Sequence, residues 1–235
     1  MHENLADNLR MWDESYAWPQ DGDEWQGQAA LCGVPYAEWK ASLVEHLIDP
    51  YVTPETAVLE IAPGRGRWTE YLVRRAAHVT LVDISPACLA YCRERFQAFA
   101  NVEYALTPGD RLPEGAGGRI GVVWSYDSFV HMHPDVVAAY LREIRRVLKP
   151  GGRAVVHHAN VADPATHRQE EAPGWRSAVT SAAVRGMAAE AELSVEAQFT
   201  YWDEARRIGV PRFGDQITVL RAERAERPST SSLTS

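Results

Sequence analysis

Short, continuous apolar runs alternate along the chain with segments of helical periodicity. The apolar runs predict buried strands over 57–62, 79–82, 101–105, 120–125 and 153–158. Apolar residues at helical spacing predict helices over 35–48, 67–76, 86–99 and 134–148. Such alternation is typical of a mostly parallel sheet that carries helices on both faces.

The C-terminal part of the chain departs from this pattern. A helix is predicted over 174–193, and strands over 195–202 and 216–222 follow it. No helix separates these two strands, which suits an antiparallel hairpin, because a parallel crossover normally needs one. The predicted fold is therefore α/β, a Rossmann-like doubly wound sheet, mostly parallel, with one antiparallel strand near the C-terminus.

The two ends of the chain differ in composition from the domain predicted over 35–223. Of eight tryptophans in 235 residues, four (Trp12, Trp18, Trp25 and Trp39) fall near the N-terminus. We expect the segment 1–34 to form a helical lid that covers a site and excludes water, with a packed N-terminal helix as the alternative. Residues 224–235 have the composition of a disordered tail.

Charge and cysteine use limit the partners. The formal charge of −8 argues against a nucleic-acid partner, because phosphate contacts need a basic face, and it favours a neutral or cationic small molecule. The three cysteines lack zinc spacing, and neither a signal segment nor a long apolar run is evident. We expect a cytoplasmic monomer or homodimer with no membrane partner.

A glycine-containing turn joins the first predicted strand to the next helix. The sequence there is Glu60-Ile61-Ala62-Pro63-Gly64-Arg65-Gly66, and Asp83 ends the following strand. Glycines allow a sharp turn and close approach of a ligand, and an acid at the second strand end can bind a ribose diol. A dinucleotide site would have a third glycine at the position of Thr69, so the motif does not match a dinucleotide-binding site. The carboxylate of Glu60 fits a cofactor with an ammonium group better than one with a pyrophosphate.

These motifs, with Leu148-Lys149-Pro150-Gly151-Gly152, resemble those of class I S-adenosylmethionine-dependent methyltransferases. The resemblance covers roughly residues 40–222 and implies S-adenosylmethionine as methyl donor, with S-adenosylhomocysteine as product. Ala62 replaces the usual first glycine, and the usual adenine-contacting acid is displaced to Asp110. The implied cofactor-binding residues are Glu60, Ala62, Gly64, Gly66, Asp83, Ile84, Gly109, Asp110 and Ser125.

Candidate catalytic residues follow the fourth and fifth strands. Asp127 and His131 follow the fourth strand, and His157 and His158 end the fifth. An imidazole can act as the base and a carboxylate can orient it. We expect His131 or His158 to be the base with Asp127 as its partner, and alternation sends His157 and His158 to opposite faces. Because Mg²⁺ prefers carboxylates and water, no metal site is predicted.

A narrower resemblance concerns the acceptor. The segments 22–25, 66–69, 127–131 and 157–160 are similar to those of methyltransferases from bacterial sugar, surface-polysaccharide and natural-product pathways. It implies a hydroxyl or amine acceptor on a small polar molecule, such as a sugar, an aminoglycoside or a related intermediate. The candidate substrate-binding residues are Trp12, Tyr16, Trp25, Asn160, Trp175 and Arg176.

Three other functions stay open from the sequence. The chain could be a methyltransferase that acts on a macromolecule such as tRNA or protein, although its acidic charge argues against this. It could also be a catalytically silent cofactor-binding partner protein. A nicotinamide-dependent oxidoreductase is the third alternative, and Thr69 argues against it.

Overall fold

The computed structural model describes residues 3–19, 26–162 and 175–223 of the chain. Seven strands form one sheet in the order β3-β2-β1-β4-β5-β9-β6, and β7 pairs with β8 in a small second sheet. The strands are β1 Ala57–Ile61, β2 His78–Asp83, β3 Val102–Leu106, β4 Ile120–Ser125, β5 Leu148–His158, β6 Leu193–Phe199, β7 Tyr201–Asp203, β8 Ile208–Gly209 and β9 Gln216–Ala222.

The sheet confirms the predicted topology. Strands β3, β2, β1, β4 and β5 pair in parallel, whereas β9 runs antiparallel to both β5 and β6. The reversed strand is therefore β9, and it lies between β5 and β6. The Rossmann-like, doubly wound α/β architecture follows from the strand and helix alternation of the sequence.

Helices cover the sheet, and local signals define several of their ends. Ser85 accepts a hydrogen bond from Cys88 N at 3.0 Å and Pro86 occupies the first turn, as the Ser-Pro pair predicts. Thr180 caps the last helix in the same way. The α-helices are α1 Glu3–Leu9, α2 Gly27–Cys32, α3 Tyr36–Leu43, α4 Thr69–Leu72, α5 Pro86–Arg95, α6 Pro134–Val147 and α7 Ser181–Glu190.

Two π-helical segments and three 3₁₀ turns complete the described elements. Arg10–Ser15 continues α1, and Val44–Ile48 continues α3. The 3₁₀ turns are Glu114–Ala116, Phe129–His131 and Arg212–Gly214. Among the described residues, no helix combines the length and the apolar character needed to cross a membrane.

Apolar side chains fill both faces of the sheet. On one face α6 contributes Tyr140 and Ile144 to a cluster that also includes Phe129. On the other face Trp39 and Trp124 belong to a cluster rich in aromatic residues. Burial of these large side chains supplies the main driving force for the fold and holds the strand ends in place.

Several predicted boundaries differ from the structure: the strand predicted over 195–202 is divided between β6 and β7, and the helices predicted over 67–76 and 86–99 are shorter. Two further differences have local causes. Strand β5 begins at Leu148, before Gly151 and Gly152, because a register shift against β4 accommodates the glycine pair. Helix α7 begins at Ser181 rather than 174, because Thr180 is its N-cap and the described residues 175–180 are not helical. The predicted tail at 224–235 lies outside the described residues.

Candidate functional site

An open cavity lies at the carboxyl ends of β1, β2 and β4. Ligands bind at this edge in open α/β sheets. The N-terminal segment, the glycine turn and the segment after β4 all contribute to its wall. The lining residues are Leu5, Asn8, Trp12, Tyr16, Trp18, Glu60, Ala62, Pro63, Gly64, Arg67, Trp68, Val82, Asp83, Ile84, Cys88, Gly109, Tyr126, Asp127, Ser128, His131, Met132, Tyr140 and Arg176.

The glycine turn adopts left-handed backbone angles. Gly64 and Gly66 have φ values of 57° and 86°, and Ala62 has a φ of 55°. A Cβ at Gly66 would lie 2.4 Å from the Phe96 ring, so only glycine fits there. Ala62 occupies the family's usual glycine position at the cost of backbone strain. The turn leaves backbone groups of Gly64 beside the cavity.

Asp83 lies at the end of β2 beside this turn. Its carboxylate accepts hydrogen bonds from Ser85 N at 2.9 Å and Gly64 N at 3.3 Å. Burial raises the pKa of Asp83 to about 6, although these backbone donors oppose the rise. A buried carboxylate that lines a cavity is suited to accept further hydrogen bonds from a polyol such as ribose.

Glu60 also lines the cavity, next to the first turn of α4. It is 2% exposed, and its Oε2 accepts a hydrogen bond from the Thr69 hydroxyl at 2.6 Å. The hydroxyl at the position of the missing third glycine therefore orients a carboxylate. This arrangement can hold a cationic group beside the glycine turn.

Most of the predicted cofactor-binding residues line the cavity, and three do not. Gly66 supports the turn from behind, against Phe96. Ser125 donates a hydrogen bond to the Ile61 carbonyl at 3.1 Å and so joins β4 to β1. Asp110 lies outside the lining, with its Oδ1 3.9 Å from Nε of Arg111. The lining members of the set are Glu60, Ala62, Gly64, Asp83, Ile84 and Gly109.

Asp127 defines the opposite end of the cavity, directly after β4. Its Oδ2 lies 3.2 Å from Nη2 of Arg67, and its Oδ1 lies 3.9 Å from Nη2 of Arg176. Its backbone N–H donates to Nδ1 of His157 at 3.1 Å. Burial opposes the charged form, but Arg67, His157 and Arg176 outweigh it and hold the pKa of Asp127 below its usual value. Asp127 has a φ of 61°.

His131 lines the cavity but differs from the predicted base. Its ring packs between Trp12 and Trp175, with centroid distances of 5.1 and 5.0 Å. Burial, with Arg176 nearby, lowers the pKa of His131 to about 3. A neutral imidazole with so low a pKa accepts a proton poorly at neutral pH, so the base role assigned from the sequence is not supported.

The second predicted base, His158, does not line the cavity. Its Nε2 is 2.7 Å from the Thr218 hydroxyl, and its Nδ1 is 2.7 Å from the Ala159 carbonyl. His157 instead contacts Asp127 and stacks on Tyr126 at 4.4 Å. Strand alternation therefore separates the two rings as expected, but it turns His157 rather than His158 toward Asp127.

The predicted substrate-binding residues divide into three groups. Trp12, Tyr16 and Arg176 line the cavity. Trp175 contacts the His131 ring from behind, and Asn160 accepts a hydrogen bond from Ser181 N at 2.9 Å, at the start of α7. Trp25 lies outside the described residues, so its assignment stays a prediction.

The N-terminal segment is attached to the site by residues that sequence reasoning missed. The Asn4 and Asn8 amides donate to the His131 carbonyl at 3.2 and 3.0 Å. The Asp13 carboxylate contacts the Ser85 hydroxyl and accepts from Ala87 N at 3.1 Å, at the N-terminus of α5. Such single polar residues leave no periodic signal in a sequence.

A buried ion pair lies behind Asp127. Nη2 of Arg176 lies 2.8 Å from Oδ2 of Asp215, and its Nε lies within 3.0 Å of both carboxylate oxygens. Nε2 of His157 lies 3.3 Å from Asp215 Oδ2. Asp215, His157, Arg176 and Asp127 thus form one connected network. In the described part of the chain, no group of three or more His, Cys, Asp or Glu side chains is arranged to hold a metal ion.

Comparison with known families agrees with this geometry. Residues 58–152, which include the glycine turn, Asp83 and strand β4, match the family model of the methyltransferase domain. Over this stretch the chain is similar to a methyltransferase domain, and its fold is that of the class I S-adenosylmethionine-dependent methyltransferases.

Curated relatives cover part of the chain. The chain is 35% identical over 121 residues to a demethylmenaquinone methyltransferase of Tropheryma whipplei, which is 51% of this chain and 47% of the relative. It is 31% identical over 104 residues to a ubiquinone biosynthesis O-methyltransferase of Pseudomonas aeruginosa, which is 44% of each chain. The chain spans about half the length of the curated relatives it matches.

Solved structures share the fold over nearly the whole chain. The 1,6-didemethyltoxoflavin-N1-methyltransferase of Burkholderia thailandensis, with its substrate and S-adenosylhomocysteine bound, has a TM-score of 0.65 at 24% identity and covers 94% of this chain and 90% of its own. The geranyl diphosphate C-methyltransferase of Streptomyces coelicolor has a TM-score of 0.63 at 16% identity, with 95% and 98% covered.

Proposed function

We propose that the protein transfers a methyl group from S-adenosylmethionine to a hydroxyl or amine of a small polar molecule. The observation that carries this proposal is a single cavity with two chemically different ends. Asp83 and the glycine turn line one end, and Asp127 with its arginines lines the other. A methyl transferase needs such a pair of adjoining subsites, because donor and acceptor must be aligned for in-line displacement.

The donor end fits S-adenosylmethionine part by part. The Asp83 carboxylate can accept hydrogen bonds from both hydroxyls of the ribose, and Glu60 can bind the amino group of the methionine moiety. The left-handed turn at Gly64 allows close approach of that moiety. The sulfonium supplies an activated methyl group, so the chain's own residues have to bind, orient and exclude water.

At the acceptor end, aromatic rings and charged groups suit a sugar, an aminoglycoside or a related natural-product intermediate. Trp12 and Tyr16 form a T-shaped pair at 5.1 Å beside the cavity, and flat rings of this kind stack on sugars and attract cations. Asp127, kept ionised by Arg67 and Arg176, can orient a hydroxyl or amine. Asp127 is the residue to which we assign acceptor contact.

The comparisons support a small-molecule acceptor of unspecified structure. The solved neighbour from Burkholderia thailandensis binds didemethyltoxoflavin together with S-adenosylhomocysteine, and the relatives named above are methyltransferases of menaquinone and ubiquinone type. We infer that this chain likewise uses S-adenosylmethionine as methyl donor and a small molecule as acceptor.

The N-terminal segment acts in this proposal as the lid expected from the sequence. Trp12, Tyr16 and Trp18 form an aromatic cluster on the cavity wall, and a Cβ at Gly64 would lie 2.7 Å from the Trp18 ring. A lid in this position excludes water from both ends of the cavity.

Calorimetry with S-adenosylhomocysteine, with NADH as the comparison ligand, tests the donor assignment. We expect binding of the former alone, and at least a tenfold weaker affinity in Asp83→Asn, since an amide cannot accept from both ribose hydroxyls as a carboxylate does. Asp49→Asn is the matched control, because Asp49 pairs with Arg75 at the surface. Absence of S-adenosylhomocysteine binding in the folded wild-type protein would contradict the proposal.

A further inference from the structure

We propose that the atom methylated is an amine nitrogen of the acceptor and not an alcohol oxygen. This inference rests on the proposed function and narrows its acceptor class. The geometry that points to it is the surroundings of the described candidate bases at the acceptor end: Asp127 is paired with arginines, and His131 and Tyr126 are buried among aromatic rings.

Asp127 is the carboxylate that faces the acceptor. Three carboxylates occur among the described cavity residues, and Glu60 and Asp83 belong to the donor end. Asp127 lies between the guanidinium groups of Arg67 and Arg176, at 3.2 and 3.9 Å. Two cations next to a carboxylate favour its charged form, so Asp127 binds a hydrogen-bond donor well and removes a proton poorly.

His157 lies behind Asp127 and is bonded to its backbone. Nδ1 of His157 accepts the N–H of Asp127 at 3.1 Å, so that nitrogen is already occupied. Nε2 lies 3.3 Å from Oδ2 of Asp215, on the side away from Asp127. His157 is also not among the residues that line the cavity. His157 therefore positions the Asp127 backbone and does not contact the acceptor.

The other titratable groups around Asp127 are equally unsuited to a base role. His131 is enclosed between Trp12 and Trp175, and burial lowers its pKa to about 3. Tyr126 is buried, and burial raises its pKa above its usual value, so it stays protonated. The charged and titratable groups that act on Asp127 or Tyr126 from the surrounding elements are Tyr36, Arg67, His131, His157, Arg176, Arg212 and Asp215.

An amine needs no such base for the bond-forming step. The acceptor's ammonium form first releases a proton to water before it binds, which leaves a free lone pair on nitrogen. That lone pair forms the new bond to the methyl carbon, while the carbon–sulfur bond breaks and its electron pair stays on sulfur. The product ammonium then releases its proton to water. An alcohol oxygen is a weak nucleophile until its proton is removed, and base catalysis of that removal contributes typically about 10²–10⁴-fold. The site as built favours the first reaction.

The test uses matched pairs of acceptors that differ in one group. Each amino-sugar or aminoglycoside fragment is paired with the parent compound that has a hydroxyl at the same carbon, and each is incubated with the full chain and methyl-labelled S-adenosylmethionine. Mass spectrometry identifies the methylated atom. We expect N-methylation of amine members and at least about a 10²-fold lower rate for their hydroxyl partners.

Two results would overturn the inference. One is methylation at oxygen with rates equal to or above those at nitrogen. The other is methylation of neither member of any pair by a protein that binds S-adenosylhomocysteine in the calorimeter. Failure of that binding instead contradicts the proposed function itself, so the two failures are distinguishable.

The pH profile provides a second, independent readout at saturating donor. With an amine acceptor, kcat/KM should rise with pH and level off at the acceptor's own ammonium pKa, and the break should move when an acceptor of different pKa is used. His131→Gln and Asp127→Asn should leave the position of the break unchanged, whatever they do to kcat. A break that stays at one pH across acceptors, and that either substitution removes, would identify an enzymatic base and refute the inference.

Discussion

Asp83 combines deep burial with a position on the cavity wall. The strand ends at this residue, so the carboxylate is fixed by backbone donors from Ser85 and Gly64. Burial disfavours the charged form of the Asp83 carboxylate by more than the backbone hydrogen bonds stabilise that form, and this raises the pKa of Asp83 to about 6. Protonation of one side chain therefore falls within an accessible pH range.

Donor affinity should follow this protonation. Above about pH 6 the ionised carboxylate of Asp83 can accept both ribose hydroxyls, and below it the protonated form loses acceptor capacity. We expect the Kd for S-adenosylhomocysteine, measured by calorimetry between pH 5 and 8, to rise as the pH falls through 6, by about tenfold per unit at the acidic end. In Asp83→Asn the affinity should be weak and independent of pH; the same slope in that variant would assign the effect to another group.

Ala62 shows how the chain tolerates the loss of a glycine. Its φ of 55° is costly for a residue with a Cβ, and the family's usual glycine would adopt it freely. The methyl group packs in part against the core and offsets some of that cost.

The substitution Ala62→Gly should therefore not lower the stability of the protein, in contrast to an alanine-to-glycine substitution within a helix. We expect its free energy of unfolding in urea to be at least that of the wild type, and roughly 1 kcal/mol above that of Ala90→Gly. Ala90 lies exposed in α5, where glycine only loosens a right-handed helix. Equal losses in both variants would show that the Ala62 turn stores no strain.

At the scale of elements, α1 and the π-helical segment Arg10–Ser15 are held to the domain by polar contacts at two places. Asn4 and Asn8 attach α1 to the turn after β4. Asp13 attaches the π-helical segment to the N-terminus of α5, where a negative charge meets free backbone N–H groups. The wall of the cavity is thus secured by a few hydrogen bonds.

Asp13→Asn should loosen this attachment without unfolding the domain. An anion at a helix N-terminus contributes about 0.3–1 kcal/mol, so we expect dissociation of S-adenosylhomocysteine to accelerate by roughly two- to fivefold. Hydrogen exchange should increase over residues 10–18. Asp7→Asn is the control, because Asp7 pairs with Arg10 on the exposed side of the same segment. Equal effects of the two substitutions would contradict a specific role of Asp13.

Deletion of residues 1–30 tests the lid as a whole. If the segment excludes water and aligns the acceptor, we expect a folded protein whose methyl transfer is reduced at least tenfold. Circular dichroism and thermal unfolding establish that the domain is folded. Unchanged turnover in that folded protein would refute the lid.

At the scale of the whole molecule, the buried pair of Arg176 and Asp215 joins parts of the chain that are far apart in sequence. Arg176 lies before α7 and Asp215 before β9, and both are essentially buried, at 1% and 0% exposure. Their charges have lost their hydration and depend on one another. The pair supports His157 and Asp127 from behind.

Breaking this pair should destabilise the protein strongly. Asp215→Ala leaves the Arg176 charge in a dry interior, and we expect a loss of about 3–5 kcal/mol in the free energy of unfolding, measured in urea. Glu196→Ala removes the partially exposed partner of Arg153 and should cost about 0–1 kcal/mol. Similar small losses in both variants would show that water reaches the Arg176 site.

Local chemistry explains which parts of the fold and site could be predicted. Strands β1, β2 and β4 are short, nearly continuous apolar runs, and Ser85-Pro86 marks the start of α5 directly. The positions of Gly64 and Asp83 beside the cavity could be predicted, because they follow from the glycine turn and the strand end that contain these residues. The predicted start of α7 is wrong, because apolar residues also occur at helical spacing on the N-terminal side of its cap residue, Thr180.

The sequence by itself determined the alternation of strands and helices, the presence of one antiparallel strand near the C-terminus and the positions of the glycine turn and Asp83, because each depends on short-range patterns of burial and turn chemistry. Only the tertiary structure decided the order of strands in the sheet and the side chains that surround Asp127 at the proposed acceptor end. His157 reaches Asp127 while His158 binds Thr218, and Arg176 becomes the partner of Asp215. These contacts join distant segments, and whether an imidazole is a base depends on the burial and charges that only the assembled fold creates.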